Sequence, residues 1–257
     1  MVPKKENTPY FGEVSDYLPG ISIDCVVIGF DLQQLNILLL KMKDGGHWGL
    51  PGGFVHKDED MDRAASRILE ERTGIKLPYL KQFHTFGDTQ RRANSPNFFS
   101  ESSLPEQFRD MLTWLQNRFI STGYLSLVDM RNSAPSPDYL SESCQWIPVD
   151  SIPELMYDHN QIVHKALEQI RNQINYLPIG ISLLPEKFTM KEYQFLYEEI
   201  LQKKLDRANF QKKMLKLGFL DRHEKQLSGG AHKAPFLYAF NRDKYEELVE
   251  KGIGYLS

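Results

Sequence analysis

A glycine-rich stretch that leads into a short helix constrains the fold of this chain more than any other segment. Residues 48–55 (Trp-Gly-Leu-Pro-Gly-Gly-Phe-Val) are typical of extended chain punctuated by glycine. Apolar residues then recur at three- and four-residue spacing within 60–73, which predicts a helix with one buried face. Gly74 follows where a C-terminal helix cap belongs. The segment therefore predicts a strand, a loop and a helix in direct succession.

Patterns on both sides place this unit within a larger α+β domain. Runs rich in β-branched residues predict strands, and apolar residues at helical spacing predict two more helices. The predicted strands are 21–30, 35–43, 79–86, 121–128 and 144–149, and the predicted helices are 105–118 and 161–174. Residues 1–20 are polar and are interpreted as a leader.

The segment 53–75 resembles the Nudix box. The family pattern is a glycine, five residues, a glutamate, seven residues, and then Arg-Glu-apolar-any-Glu-Glu-any-Gly-apolar. The residues that match this pattern at the correct spacing are Gly53, Glu59, Arg67, Leu69, Glu71, Gly74 and Ile75. The resemblance implies that 21–176 form a Nudix domain, an α/β/α sandwich with a mixed sheet.

Two of the three helix carboxylates that the Nudix family uses are absent here. In the family they hold Mg²⁺ or Mn²⁺, which activates water against a pyrophosphate. Ile68 and Arg72 occupy two of those positions, and only Glu71 remains. We therefore expect a domain that senses a ligand and requires no metal. Glu59 and Glu71 are the candidates for residual catalysis, and Glu71 is the candidate ligand for Mg²⁺ or Mn²⁺ if hydrolysis survives.

The resemblance also implies which residues contact the ligand. The expected ligand-binding residues are Gly53, Arg67, Glu71, Asp88 and Arg91. A structural interpretation stands beside this one, in which Arg67 and Glu59 pair to brace the loop against the helix. An insertion at about 91–117 falls next to the segment expected to shape the pocket.

A second unit is predicted at 177–257, after a Tyr-Leu-Pro-Ile-Gly break at 176–180. Thr189 and Glu192 have capping-box spacing at the start of one helix, and Asp206 can cap a second helix. Two short strands around a glycine-rich tip follow. This order of elements predicts a winged helix-turn-helix.

The basic and acidic side chains are distributed unequally between the two predicted units. The whole chain has 31 basic and 34 acidic side chains, a net charge of −3, which alone argues against a nucleic-acid binder. However, residues 187–257 hold 14 basic and 10 acidic side chains. Arg, Asn and Gln can read base edges and Lys can bind phosphates. The predicted DNA-binding residues are Arg207, Asn209, Gln211, Lys212, Lys213 and Lys216 on the second helix, and His232 and Lys233 on the wing.

The combination of the two units resembles the Nudix-related transcriptional regulators of the NrtR family. The segments that carry the resemblance are 183–189 (Leu-Leu-Pro-Glu-Lys-Phe-Thr), 205–210 (Leu-Asp-Arg-Ala-Asn-Phe) and 237–240 (Leu-Tyr-Ala-Phe). Membership implies a homodimer that binds double-stranded DNA, as a repressor, in response to a small-molecule effector. One branch of the family senses ADP-ribose, and an arabinose-responsive branch senses a free pentose. The loss of two metal-binding carboxylates favours a sugar or sugar-derived effector.

Two other functions stay open at this stage. One is a metal-dependent pyrophosphatase acting on a nucleoside diphosphate derivative such as ADP-ribose, and the other is a protein-interaction module. No run approaches the ~18 apolar residues of a bilayer span, so no membrane association is expected. The two cysteines, Cys25 and Cys144, indicate a reducing compartment, and we expect the cytoplasm.

Overall fold

The computed structural model describes residues 13–76, 80–91, 109–174, 179–226 and 234–251. Contacts between residues divide the chain into two units. The first unit contains the chain up to Val27, Ile37–Ser126 and Ala134–Ala166, and the second contains Ile28–Asn36, Leu127–Ser133 and Leu167–Ser257. Among the described residues, no helix is long and apolar enough to cross a membrane.

The described residues of the N-terminal part form a seven-stranded sheet and three α-helices. The strands are β1 (Tyr17–Phe30), β2 (Leu35–Met42), β3 (Trp48–Gly49), β4 (Gly52–His56), β5 (Lys81–Phe86), β6 (Ile120–Asp129) and β7 (Ser141–Pro148). The helices are α1 (Met61–Thr73), α2 (Arg109–Leu115) and α3 (His159–Gln173). The predicted α+β class with a mixed sheet is confirmed. β1 begins at Tyr17, inside the predicted leader 1–20, and of the predicted helix 105–118 the residues 105–108 lie outside the described part.

β1 is the central strand of this sheet. The strand order is β3-β2-β1-β6-β5, β4 also pairs with β1, and β7 pairs with β2. Residues 23–30 of β1 are all buried, which is expected of a strand covered on both faces. β4 runs antiparallel to β1, with Ile23 opposite Gly53 and Asp24 opposite Gly52. The glycine-rich loop therefore lies beside the one acidic residue of the buried strand segment.

Helix α1 has the boundaries that its sequence predicts. The Asp60 side chain accepts a hydrogen bond from the Arg63 N–H, and Gly74 ends the helix with a φ of 68°. Ala64, Ala65, Ile68 and Leu69 are buried. A Cβ on Gly53 would lie 3.0 Å from Ile68 Cγ1, so the absence of a side chain at residue 53 allows α1 to pack closely on β4.

The C-terminal part has the predicted winged helix fold. It contains β8 (Phe188–Thr189), α4 (Met190–Leu201), α5 (Arg207–Lys216), β9 (Leu220–Lys225), β10 (Phe236–Phe240) and α6 (Arg242–Lys251). The three strands pair in the order β8-β10-β9. Thr189 and Glu192 form the predicted capping box, and Asp206 caps α5 through the Asn209 N–H. The core is an aromatic cluster of Phe188, Tyr193, Tyr197, Phe210, Phe219, Phe240 and Tyr245.

Two elements of this domain are missing from the sequence-based prediction. β8 consists of two residues, too few to show an alternating pattern. α6 is mostly charged, and its Tyr245 ring packs on Phe219 and Phe240. A helix held by so narrow an apolar face has little periodicity to detect.

Candidate functional site

A cavity of about 130 Å³ lies in the first unit, beside the glycine-rich loop that precedes α1. Residues from β1, β2, β4, the end of α1 and the start of α3 contribute to its wall. The lining consists of Ser22, Asp24, Met42, Gly49, Leu50, Gly52, Gly53, Phe54, Arg72, Arg91, Leu115, Phe119, Leu140, Met156, Tyr157 and His159.

Asp24 is the buried acid of this cavity. Its Oδ2 accepts hydrogen bonds from the Ser121 hydroxyl and, at 3.3 Å, from Arg91 Nη2. Its Oδ1 lies 3.3 Å from His159 Nε2. Burial alone would raise the pKa of Asp24, but His159, Arg91 and Ser121 outweigh it and lower the pKa to about 2. The carboxylate is therefore ionised near neutral pH although it is fully buried.

Arg91 links Asp24 to a second buried acid. Its Nε donates to Asp158 Oδ2, and its Nη1 donates to the carbonyl oxygen of Phe119 at 3.2 Å. The side chains of Arg91 and Asp158 are 9% and 7% exposed. Burial would lower the pKa of Arg91, but the two carboxylates raise it, so the guanidinium stays charged. Arg91 is thus held rigidly at the wall of the cavity.

The residues predicted to bind ligand divide into two groups. Gly53 and Arg91 line the cavity. Arg67 and Glu71 are not part of its lining, and neither is Asp88, which is exposed and accepts a hydrogen bond from the Gln90 N–H at 2.8 Å. The assignment of these three residues to ligand binding stays a prediction.

Arg67 joins the glycine-rich loop to helix α1. Its guanidinium donates to both carboxylate oxygens of Glu59, to Glu71 Oε2 at 2.9 Å and to the Phe54 carbonyl at 2.8 Å. Partial burial would raise the pKa of Glu59, but hydrogen bonds from Arg67 and from the His56 N–H lower it. These contacts match the structural interpretation of the Arg67 and Glu59 pair.

Arg72 has the opposite charge to the residue that the Nudix pattern places there, and it is buried. Its Nη1 lies 2.5 Å from Asp138 Oδ2, and the two side chains are 6% and 2% exposed. Ile68, at the other altered position, is buried against Gly53.

These residues do not fit the metal ions that Nudix hydrolases use. Glu71 is paired with Arg67, and the Arg72 guanidinium and the apolar Ile68 side chain occupy the other two helix positions. Among the described residues, no group of three or more His, Cys, Asp or Glu side chains is arranged to hold a metal ion. A hard divalent cation needs several oxygen ligands, and the three positions of the Nudix pattern on this helix offer one carboxylate, which is already paired with a guanidinium.

Helix α5 presents its polar residues outward, as predicted. Phe210 and Met214 are buried, whereas Gln211 is partly exposed. The exposed residues of the predicted set are Arg207, Asn209, Lys212, Lys213 and Lys216. Within the described part of the chain, none of the six side chains has a hydrogen-bond or ion-pair partner, so their donors face solvent.

The wing is described only at its base. Arg222 and Lys225 on β9 lie over the Phe236 ring of β10, with the Arg222 guanidinium 3.4 Å from the ring centroid. The predicted DNA contacts His232 and Lys233 lie outside the described residues.

The sequence-based prediction missed the polar residues Asp24 and His159. Asp24 carries a usable signal, because an acidic residue within a run of buried β-branched residues must be paired inside the fold. His159 carries none, since one histidine at the start of a helix has no distinctive spacing.

The chain thus has one domain with a cavity of the size of a small ligand and, after it, a winged helix domain. These features define a class of two-domain proteins in which the first domain can bind a small molecule and the second can bind a macromolecule. The chain belongs to the Nudix family, because the NUDIX domain model matches residues 18–167. The model described as the NrtR DNA-binding winged helix domain matches residues 180–240. The chain is therefore a member of the Nudix-related regulator family.

The chain is similar over most of its length to a curated relative and to solved structures. The "ADPR responsive transcriptional repressor NtrR" of Acinetobacter baylyi is 28% identical over 240 residues, which cover 90% of this chain and 86% of the relative. The crystal structure of Shewanella oneidensis NrtR matches with a TM-score of 0.65 and 23% identity, over 88% of this chain and 96% of that one. A MutT/nudix family protein from Enterococcus faecalis matches with a TM-score of 0.63 and 18% identity, over 92% and 90% of the two chains. These two structural matches show the fold.

Proposed function

We propose that this chain is a DNA-binding transcriptional repressor whose Nudix domain binds a small-molecule effector without hydrolysing it. The proposal is based on the combination of two features in one chain. The first unit has a cavity beside a Nudix helix that lacks two of the metal-binding carboxylates. The second feature is a winged helix domain with an exposed basic helix. The Acinetobacter baylyi relative, which is a transcriptional repressor by its name, supports the proposal.

Helix α5 is the part that we assign to the major groove of DNA. Its exposed Asn209 and Arg207 can donate to base edges, and its lysines can neutralise phosphates. Shewanella oneidensis NrtR, which has the same fold, has been crystallised in complex with a 27mer DNA. We further propose a homodimer in the cytoplasm, with two half-sites about one helical turn apart on a near-palindromic operator.

We propose an ADP-ribose-like effector. The name of the Acinetobacter baylyi relative, ADPR responsive, is the reason for this choice. The sequence-based preference for a free sugar rested on the absence of carboxylates at residues 68 and 72, and the name of this relative does not support it. An ADP-ribose-like ligand does not require a metal if the protein only binds it.

A pyrophosphatase is the second candidate function, because the glycine-rich loop and helix α1 are those of the Nudix family. Hydrolysis by this family's route needs metal-activated water. The Arg72 guanidinium and the Arg67–Glu71 pair work against a divalent cation at α1, so we place this function second.

An electrophoretic mobility shift assay with the DNA upstream of the chain's own gene tests the proposal. We expect specific binding that ADP-ribose weakens. The double variant Lys212→Glu, Lys213→Glu should lose binding, and the matched variant Lys57→Glu, Lys81→Glu, which changes two exposed lysines of the first unit, should retain it. Equal binding by both variants would remove α5 from the DNA interface. Product release from ADP-ribose with Mg²⁺ or Mn²⁺, abolished by Glu71→Gln, would favour the pyrophosphatase.

A further inference from the structure

Helix α5 has one row of side chains that face directly away from the core of the winged helix domain. Phe210 and Met214 are buried on the inner face of the helix. Ala208 and Lys212 each precede one of them by two residues, which is a rotation of about 200° around the helix axis. Leu215 follows Lys212 by three residues and therefore lies on the same face as Lys212. The outer row of α5, Ala208, Lys212 and Leu215, is exposed along its whole length.

Leu215 is an exposed apolar residue within a cationic surface. Its exposed fraction is 42%, and it is one of four large hydrophobic residues that are exposed among the described residues. A single exposed leucine is ordinary on a protein surface. However, its neighbours on the helix face, three and four residues earlier, are Lys212 and Gln211. Any partner that covers these two side chains also covers Leu215.

The charge of α5 determines which partner this surface fits. The helix has no acidic residue between 207 and 216, and its basic residues are all exposed, namely Arg207, Lys212, Lys213 and Lys216. A surface of one sign of charge is complementary to a polyanion, and DNA is the polyanion of the proposed function. When α5 lies in the major groove, the row that faces away from the protein core is the row closest to the base edges.

An apolar side chain at the base edges restricts which bases can lie opposite it. In the major groove adenine, guanine and cytosine present hydrogen-bond donors and acceptors, and covering these with an apolar group leaves them unpaired, which is unfavourable. Thymine also presents its C5-methyl group, which packs on an apolar side chain. Ala208 and Leu215 are about 10 Å apart along the helix axis, so they meet different base pairs.

We propose that Ala208 and Leu215 determine part of the operator sequence by contacting the C5-methyl groups of two thymines in each half-site. The inference rests on the proposed function and deepens it, because it names residues that select bases without a hydrogen bond. The lysines of α5 bind phosphates, which hold the helix in the groove but carry no sequence information. The two apolar residues therefore contribute to specificity, whereas the lysines contribute to affinity.

Replacement of single thymines by uracil tests the inference, because uracil lacks the methyl group and keeps the hydrogen-bonding groups of thymine. The full chain is titrated by fluorescence anisotropy against the shortest duplex from the DNA upstream of its gene that it binds specifically. Each thymine of this duplex is replaced in turn. We expect two replacements in each half-site to weaken binding about fourfold each, the loss that corresponds to one buried methyl group, and the other replacements to have no effect.

Variants of α5 assign each methyl group to a residue. Leu215→Ala should remove the dependence on one of the two thymine methyl groups, and Ala208→Ser should remove the dependence on the other. Both side chains are exposed, so these changes leave the core of the domain intact. Leu215→Met keeps an apolar side chain and should retain the dependence. Lys213→Ala is the matched control, which should weaken binding to all duplexes by the same factor and retain both dependences.

The outcomes separate this inference from the proposed function. Specific binding with equal affinity for the thymine and uracil duplexes would overturn the methyl contacts and keep the DNA-binding function. A methyl dependence that persists in both Leu215→Ala and Ala208→Ser would assign the contacts to other residues and overturn the inference. Self-association without DNA that Leu215→Ala abolishes, measured by sedimentation equilibrium, would make the outer row an interface between two copies and also overturn it. Absence of specific DNA binding would overturn both the inference and the proposed function.

Discussion

Arg72 and Asp138 form a buried ion pair where the Nudix pattern places a metal-binding glutamate. Arg72 comes from the last turn of α1, and Asp138 comes from the Pro/Ser loop that precedes β7. The same loop donates the Ser136 N–H to the Thr73 carbonyl at 2.8 Å. The change of charge at residue 72 is thus compensated by a second residue, which makes the altered helix a stable part of the fold.

Restoring the family's residue with Arg72→Glu should destabilise the protein and should not create hydrolysis. The change places a second carboxylate next to buried Asp138, and the loss of one partner of a buried pair costs about 3–5 kcal/mol. The free energy of unfolding from urea titration measures this. Arg63→Glu serves as the control, because Arg63 is 80% exposed and its pair with Asp60 is worth at most about 1 kcal/mol. Equal losses in the two variants would contradict a buried role for Arg72.

The stability contributed by Asp24 should disappear in acid. Its folded-state pKa is about 2, against an ordinary value of 3.8. A lowered pKa stabilises the folded state at every pH above the ordinary value, and this contribution, about 2 kcal/mol, is lost as the pH falls from about 4 to 2.

Unfolding of the unmodified protein and of Asp24→Asn by guanidinium chloride at several pH values checks this expectation. The difference between their unfolding free energies should be constant above about pH 5 and should shrink below pH 4. The control is Asp58→Asn, because Asp58 is exposed. A difference for Asp24→Asn that does not depend on pH would mean that the residue contributes through packing alone.

The sequence predicts the local elements well, and the reason is visible in α1. Its apolar spacing, its Asp60 cap and its Gly74 end are all encoded within one continuous segment, so no tertiary information is needed. The capping box at Thr189 and the polar face of α5 are likewise each encoded within one short continuous segment.

The cavity could not be predicted because its polar wall is assembled from distant segments. Asp24 lies on β1, Arg91 follows β5, and His159 begins α3. Hydrophobic patterning shows that each segment is buried or structured, but it does not show which polar residues meet. The partner of Arg72 is equally distant, since Asp138 lies in a loop without periodicity.

Divalent metal ions should neither bind tightly to α1 nor stabilise the protein. The carboxylate of Glu71 is paired with Arg67, and the other two positions of the Nudix pattern hold Ile68 and Arg72. The melting temperature should therefore be the same in EDTA and in millimolar Mg²⁺ or Mn²⁺, because a ligand shifts stability only when it binds the folded state. A rise in melting temperature with Mn²⁺ that Glu71→Gln removes would show a metal site.

DNA binding should depend steeply on salt, and exposed lysines of α5 should account for part of that dependence. Each phosphate contact contributes about 0.9 to the slope of log affinity against log salt concentration. Lys212→Ala and Lys216→Ala should therefore each reduce the slope by about one unit and weaken binding on every DNA sequence. Lys57→Ala, an exposed lysine of the first unit, should leave the slope unchanged. Fluorescence anisotropy between 50 and 200 mM salt, roughly the range over which such contacts are resolved, gives the slopes. Unchanged slopes in both α5 variants would assign the DNA interface to another face of the winged domain.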